Sequence, residues 1–473
     1  MALVPGGCLK MGPDFHSPDT GIQIPDAYQH ADLITKTPLE EQWWRVFNNP
    51  ELNQAVDEAL RNNLDIRKAT ARILEVQSQF VQTRADRFPM LGVEAKAQRD
   101  KRPIIGILPT GSFTVRADTH TLSLPASFEL DLWGKLARAE EAAQADLLRA
   151  EENRRTVVQT IAAETVTLYL RMEAFERRIQ ITEESIKNYQ YSFDLVERRY
   201  KRGLSSILDL KQASRTLAQA ETTLPSLRQE LGITQQKIAV LLGKYPETRA
   251  PRAQPEDYFR LMDPVPPGLP SDLLLRRPDI RAAEADLRAL NARVGVAKAS
   301  RFPRITLTGS FGYSSEELGD LFEPESELWS VASGITQPLF DAGKLKAGQQ
   351  AAEARYEQGL SQYAQTVLMA FSEVETALLT RKEQLEHRNR QLKFLKDARA
   401  VQNFAQTRYR RGLTDYLAVL ESQRTRFQAE ENLVLVDLAI LSNRVSLYRA
   451  LGTGWKEKDE RRTSNIERPT SNE

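Results

Sequence analysis

The 473-residue chain has one cysteine, Cys8, and four scattered histidines, His16, His30, His120 and His387. A single thiol cannot close an intramolecular disulfide, so no disulfide framework staples this fold. No histidine stands at metal-ligand spacing from another histidine or from Cys8, and no metal site is expected. A phosphate loop, a dinucleotide fingerprint and a nucleophile elbow are all missing, and the Gly452-Thr453-Gly454 triplet reads as a helix C-cap. The chain is therefore expected to be no enzyme and to need no cofactor. Net charge is lacking too: 65 Lys plus Arg face 64 Asp plus Glu, which removes the electrostatic footing for a nucleic-acid partner. Mean hydropathy is −0.47, and no run approaches the roughly 20 apolar residues of a membrane-spanning helix. Any membrane span has to be built from strands.

What the chain does have is an internal repeat. Leu64-Asp65-Ile66-Arg67 before Arg87-Phe88-Pro89 matches Pro278-Asp279-Ile280-Arg281 before Arg301-Phe302-Pro303, both at a shift of 214 residues. Further on, Gly134-Lys135-Leu136 matches Gly343-Lys344-Leu345, Tyr200 to Leu204 (YKRGL) matches Tyr409 to Leu413 (YRRGL), and Leu242-Gly243 matches Leu451-Gly452, all at 209. The spacing gives a first repeat over 51–245 and a second over 271–455. Seven prolines mark 246–270 as a connector, and 456–473 is a polar tail without periodicity.

From Lys135 to Arg202 run 68 residues without Gly or Pro, enough for a helix of about 100 Å. Two interleaved seven-residue series, Leu168, Phe175, Thr182, Tyr189, Val196 and Met172, Ile179, Ile186, Phe193, Tyr200, form a coiled-coil seam. The second repeat offers the equivalent rod at 344–411, and shorter helices are expected over 206–243 and 415–451. Alternating apolar and polar residues predict strands near 91–99, 120–132, 305–313 and 328–337. A soluble coiled-coil scaffold or adaptor protein shares the seam, and a small soluble sheet shares the alternation. Four strands of one apolar and one polar face suit a membrane barrel with a wet lumen, but four cannot close one. Two copies give eight strands with a filled interior, whereas three give twelve and leave a lumen.

Taken together, the RFP elements before strands, the paired rods, the YxRGL turns and the segment Leu269 to Ile305 resemble the TolC-like outer-membrane factor family, in its lipoprotein branch. The resemblance covers about Cys8 to Trp455. It implies a mainly α fold with a membrane β-barrel: a homotrimer whose 12-stranded barrel continues as a long α-helical barrel across the periplasm. The implied function is the outer-membrane exit duct of an efflux or secretion machine, joined by a periplasmic adaptor to an inner-membrane pump.

Residue by residue, the same resemblance implies a periplasmic gate. Arg408 and Tyr409 match its locking position, Asp209 the carboxylate partner, Leu417 an apolar constriction and Glu421 an acidic ring, with Ala418 where some members carry a second ring carboxylate. The turns Gly203-Leu204-Ser205 and Gly412-Leu413-Thr414 would be the adaptor-docking tips. Residues 1–50 are expected to form an anchor and belt segment. There Gly6 and Gly7 directly before Cys8 resemble a bacterial lipoprotein's lipid-attachment site, although Pro5 stands where such signals carry a branched aliphatic residue.

Overall fold

The computed structural model describes residues 10–16, 21–29, 42–104, 113–251, 259, 262, 264, 265, 268 and 270–453. Cys8, the tail 456–473 and parts of the anchor segment and connector lie outside the described residues. The helices described are α1 (Pro50–Asn62), α2 (Leu64–Ala85), α3 (Lys135–Lys201), α4 (Ile207–Leu241), α5 (Pro270–Arg276), α6 (Pro278–Ala299), α7 (Lys344–Arg410) and α8 (Tyr416–Ala450). The strands are β1 (Met90–Leu91), β2 (Glu94–Ile104), β3 (Phe113–Leu130), β4 (Arg304–Ser315) and β5 (Glu327–Thr336). The chain divides into two compact units, one drawn from 1–20, 72–151 and 282–364, the other from 21–71, 152–281 and 365–473.

The first unit holds an antiparallel sheet in which β3 pairs with β1 and β2 on one side and with β4 on the other, and β4 pairs with β5. β1 and β2 are two parts of one strand. Leu91 opposes Ala126 and Glu94 opposes Ser123, so the register is unbroken across the gap. The interruption falls opposite Pro125, which has no N–H to give the ladder, although Gly92 N–H still donates to the Pro125 carbonyl at 2.9 Å. Both β2 and β3 run past the apolar alternation, because backbone pairing continues through charged residues such as Arg99 and Asp118.

Residues directly opposite each other share a face, so the register decides the amphipathicity. One face carries the rows Leu124–Phe311–Trp329, Ala126–Gly309–Val331 and Leu130–Ile305–Ile335. The other carries Pro125–Ser310–Ser330, Ser127–Thr308–Ala332 and Glu129–Thr306–Gly334. Trp329, Val331 and Ile335 are all more than two-thirds exposed in the single chain. This is a sheet with one face for hydrocarbon and one for water.

In the same unit the segment after Cys8 is clasped by a buried arginine. Arg138, 1% exposed, donates to the carbonyls of Met11 (3.1 Å) and Gly12 (3.2 Å) and to the Asp14 carboxylate (2.8 Å). Gly12 lies against Gly295 so closely that a Cβ would meet the Gly295 Cα at 2.7 Å. Two glycines make that approach feasible.

The second unit is built of helices whose ends repeat each other. The Asn63 amide donates to the Leu241 carbonyl at 3.0 Å, and its repeat equivalent Arg277 donates to the Ala450 carbonyl, also at 3.0 Å. Gly243 and Gly452 take left-handed φ values of 68° and 77° against the backbones of Asn62 and Arg276. Each places its N–H on a carbonyl of the last helical turn, Gly243 on Val240 and Gly452 on Arg449. The seam series Leu168, Thr182, Tyr189 and Val196 is buried, and Leu227, Leu231 and Ile179 pack together between α3 and α4.

The candidate gate and tips at the helix hairpins

Both hairpin reversals are written in the backbone before any side chain acts. At the end of α3, Gly203 N–H donates to Tyr200 O (2.9 Å) and Leu204 N–H to Arg199 O (2.8 Å). At the end of α7, Gly412 N–H donates to Tyr409 O and Leu413 N–H to Arg408 O, both at 2.9 Å. This paired closure requires a left-handed residue, and Gly203 and Gly412 supply it with φ of 72° and 73°. The next helices start on side-chain caps: Ser206 and Asp209 form a reciprocal capping box on α4, and Asp415 accepts from Ala418 N–H on α8.

The tips expose apolar residues that solvent does not favour. Leu204 is 64% and Leu413 59% exposed, and Ile207 and Leu208 extend the patch on the first tip. Ser205 is half-buried and Thr414 likewise, each at the turn between its two helices.

Behind the tips lies a shared core of Val196, Ala213, Tyr409, Tyr416, Val419 and Leu420. Tyr409 is 5% exposed, tilts against Tyr416 with ring centroids 5.7 Å apart, and carries the Arg199 guanidinium 4.8 Å from its ring centre. Its hydroxyl lies 3.4 Å from the Ser205 hydroxyl, which in turn donates to Asp209 at 3.2 Å. Tyr409 thus joins the second hairpin to the first within one chain. Burial, followed by Tyr409, Tyr189 and Asp209, pushes the Tyr416 phenol well up, and burial pushes Tyr189 up to about 12.

Arg408 and Asp209 are not brought together within the chain. Asp209 is engaged by Ser205 and by Ser206 N–H (3.0 Å), while Arg408 donates to the Leu413 carbonyl at 3.3 Å and to no other group among the described residues. Leu417 and Glu421 do share a face of α8 with Arg424 and Gln428, all exposed, while Val419, Leu420, Ser422 and Gln423 on the other side are buried. Glu421 pairs with Arg424 at 3.2 Å.

Residue-level reading of the sequence missed Arg199, Ser206 and Arg424. The first had a signal, since Arg199 is the repeat equivalent of Arg408 at the shift of 209. Ser206-x-x-Asp209 is a capping-box pattern in plain sight. The repeat also shows where symmetry breaks: Asp209 corresponds to Ala418, and exposed Tyr200 to buried Tyr409.

A two-faced sheet and two helical hairpins with rods of 67 residues are the features of an outer-membrane duct. The family described as outer membrane efflux protein matches residues 55–244 and 269–453, and the chain belongs to that family. The solvent efflux pump outer membrane protein SrpC of Pseudomonas putida is 33% identical over 461 residues, covering 96% of this chain and 97% of its own length. The cation efflux system protein CusC of Escherichia coli O6:H1 is 32% identical over 462 residues, with 97% and 98% covered. Among solved structures, the outer-membrane channel OprN superposes with a TM-score of 0.89 at 31% identity, over 94% of this chain and 99% of that one. The fold is that of TolC-like outer-membrane channels, and the protein is an outer-membrane efflux channel extending into the periplasm.

Proposed function

We propose that three copies of this chain close a 12-stranded barrel and a helical tunnel, forming the passive exit duct of a tripartite pump and not an enzyme. The observation that carries this reading is the sheet with two unpaired edges. The outer edges of β2 on one side and β5 on the other meet no further strand among the described residues, and hydrocarbon tolerates no open edge. Its polar face would line a lumen, which eight strands leave too narrow and twelve leave open. The exposed Leu204 and Leu413 at the tips suit a periplasmic adaptor, which would connect the duct to an inner-membrane pump. Cys8 would carry a lipid that adds a second hold on the membrane. The relatives' names cover solvents and cations alike, so cargo selection is assigned to the pump.

The mass of the detergent-extracted particle tests the stoichiometry: three chains are expected, and a stable monomer or dimer rejects the reading. The gate is placed at Arg408, Tyr409, Asp209, Leu417 and Glu421, with Arg408 engaging Asp209 between neighbouring hairpins in the closed trimer. Arg408→Ala and Asp209→Ala are each expected to raise single-channel conductance in planar bilayers. Unchanged closed-state conductance in both removes the latch while leaving the trimer intact.

A further inference from the structure

The extracellular end of the sheet has two corners of opposite charge, and they lie on opposite edges. The segment from Glu316 to Glu327, which joins β4 to β5, contains Glu316, Glu317, Asp320, Glu323, Glu325 and Glu327 and no basic residue. All six are exposed, and none makes an ion pair among the described residues. The upper part of the β2–β3 hairpin instead carries Lys96, Arg99, Lys101, Arg102 and Arg116 against Asp100 and Asp118, of which Asp100 pairs with Arg102 at 3.4 Å.

Two of those cations face each other. Lys101 is directly opposite Arg116 in the register, on the face that carries the apolar rows below, and neither has an ion-pair partner among the described residues. Arg99, one step down on that face, is already neutralised by a bidentate bond to Asp118 at 2.5 and 2.6 Å. A like-charge cross-strand pair is destabilising unless an anion meets it from elsewhere.

The topology says where that anion comes from. The β2–β3 and β4–β5 connections are at the same end of an antiparallel sheet, and β2 and β5 are its two free edges. Closing the sheet against another copy sets the β4–β5 corner of one chain beside the β2–β3 corner of the next. Below Glu327, β5 carries no charged residue, so electrostatic selection at this edge is concentrated at the corner.

We propose that the acidic 316–327 corner of one copy docks on the Lys101–Arg116 corner of its neighbour, so that charge complementarity orients and closes the barrel seam. The inference rests on the oligomeric duct proposed above, and names the contact that directs its assembly. The contact is solvent-exposed, so salt weakens it, with a screening length near 10 Å at 0.1 M.

The test is refolding of the full chain from denaturant into detergent micelles free of phosphorylated lipid, with the trimer fraction read by light scattering. Lys101→Glu with Arg116→Glu, and separately Glu323→Lys with Glu325→Lys and Glu327→Lys, are each expected to lower the trimer fraction at least threefold at low salt. The combined five-substitution chain is expected to recover it. Failure of the combined chain to recover, or no loss in either set while wild type trimerises, overturns the proposal. A wild type that stays monomeric overturns the duct reading itself. Loss confined to the basic-corner variant, and only when phosphorylated lipid is added, assigns the patch to a lipid headgroup and overturns the neighbour contact.

Discussion

Gly203 and Gly243 share a left-handed backbone but not an environment. An added Cβ at Gly203 meets nothing within 4 Å, so Gly203→Ala bears only the backbone cost of about 1 kcal/mol. At Gly243 the same methyl would sit 2.8 Å from the Asn62 carbonyl oxygen, and the total is expected to reach about 2–4 kcal/mol. Thermal unfolding followed by circular dichroism separates the two; equal midpoints would show that Gly243 is not packed as described. The tyrosines behind the tips give a pH signature. Tyr189 and Tyr416 have folded pKa values raised by burial, so the folded state holds those protons more tightly than the unfolded chain. Their contribution is full below the ordinary tyrosine pKa near 10 and is lost as pH rises from there towards about 12. Tyr416→Phe is expected to lessen alkaline destabilisation over that window, read as melting temperature against pH; a curve parallel to wild type would place the sensitivity elsewhere.

At the scale of elements, the register decides which side of a strand meets lipid. Val331 lies in the row with Gly309 and Ala126, and its neighbour Ala332 in the row with Thr308 and Ser127. Arginine near the bilayer midplane on the lipid face costs about 2–4 kcal/mol, whereas a lumen position faces water. Val331→Arg should therefore deplete the protein from the outer-membrane fraction, and Ala332→Arg should leave insertion near wild type; the reverse order would invert the sheet. That alternation was legible in the sequence because strand period 2 separates Ile305, Leu307 and Phe311 from Thr306, Thr308 and Ser310. The α3 seam was legible for the same kind of reason, its heptad series from Leu168 to Val196 being the buried stripe. What pattern could not show is where charge is buried. Glu152 is fully buried between Arg155 and Arg281, yet on a 67-residue rod a lone glutamate reads as solvated surface. Nor could it show that Asp209 caps its own helix within the chain, since the capping box and a latch use the same carboxylate.

For the whole molecule, the proposed threefold repetition would turn weak surface charges into a field at the proposed gate. On α8 the exposed face holds Leu417, Glu421 and Arg424, and the Glu421–Arg424 pair is 3.2 Å apart with both side chains more than half exposed. Such a pair contributes little to stability, so its members are free to act on ions instead. In the trimer the ring would present three carboxylates, each partly offset by its own arginine. Glu421→Gln removes the attraction and is expected to weaken divalent-cation block of single-channel current by about tenfold. Arg424→Gln removes the offset and is expected to strengthen block in the same assay. Opposite signs from adjacent turns of one helix identify a charge ring, because a change of pore width alone would not reverse with the charge removed. Block unchanged in both variants would put the cation site elsewhere in the duct, and equal weakening in both would mean that α8 had shifted.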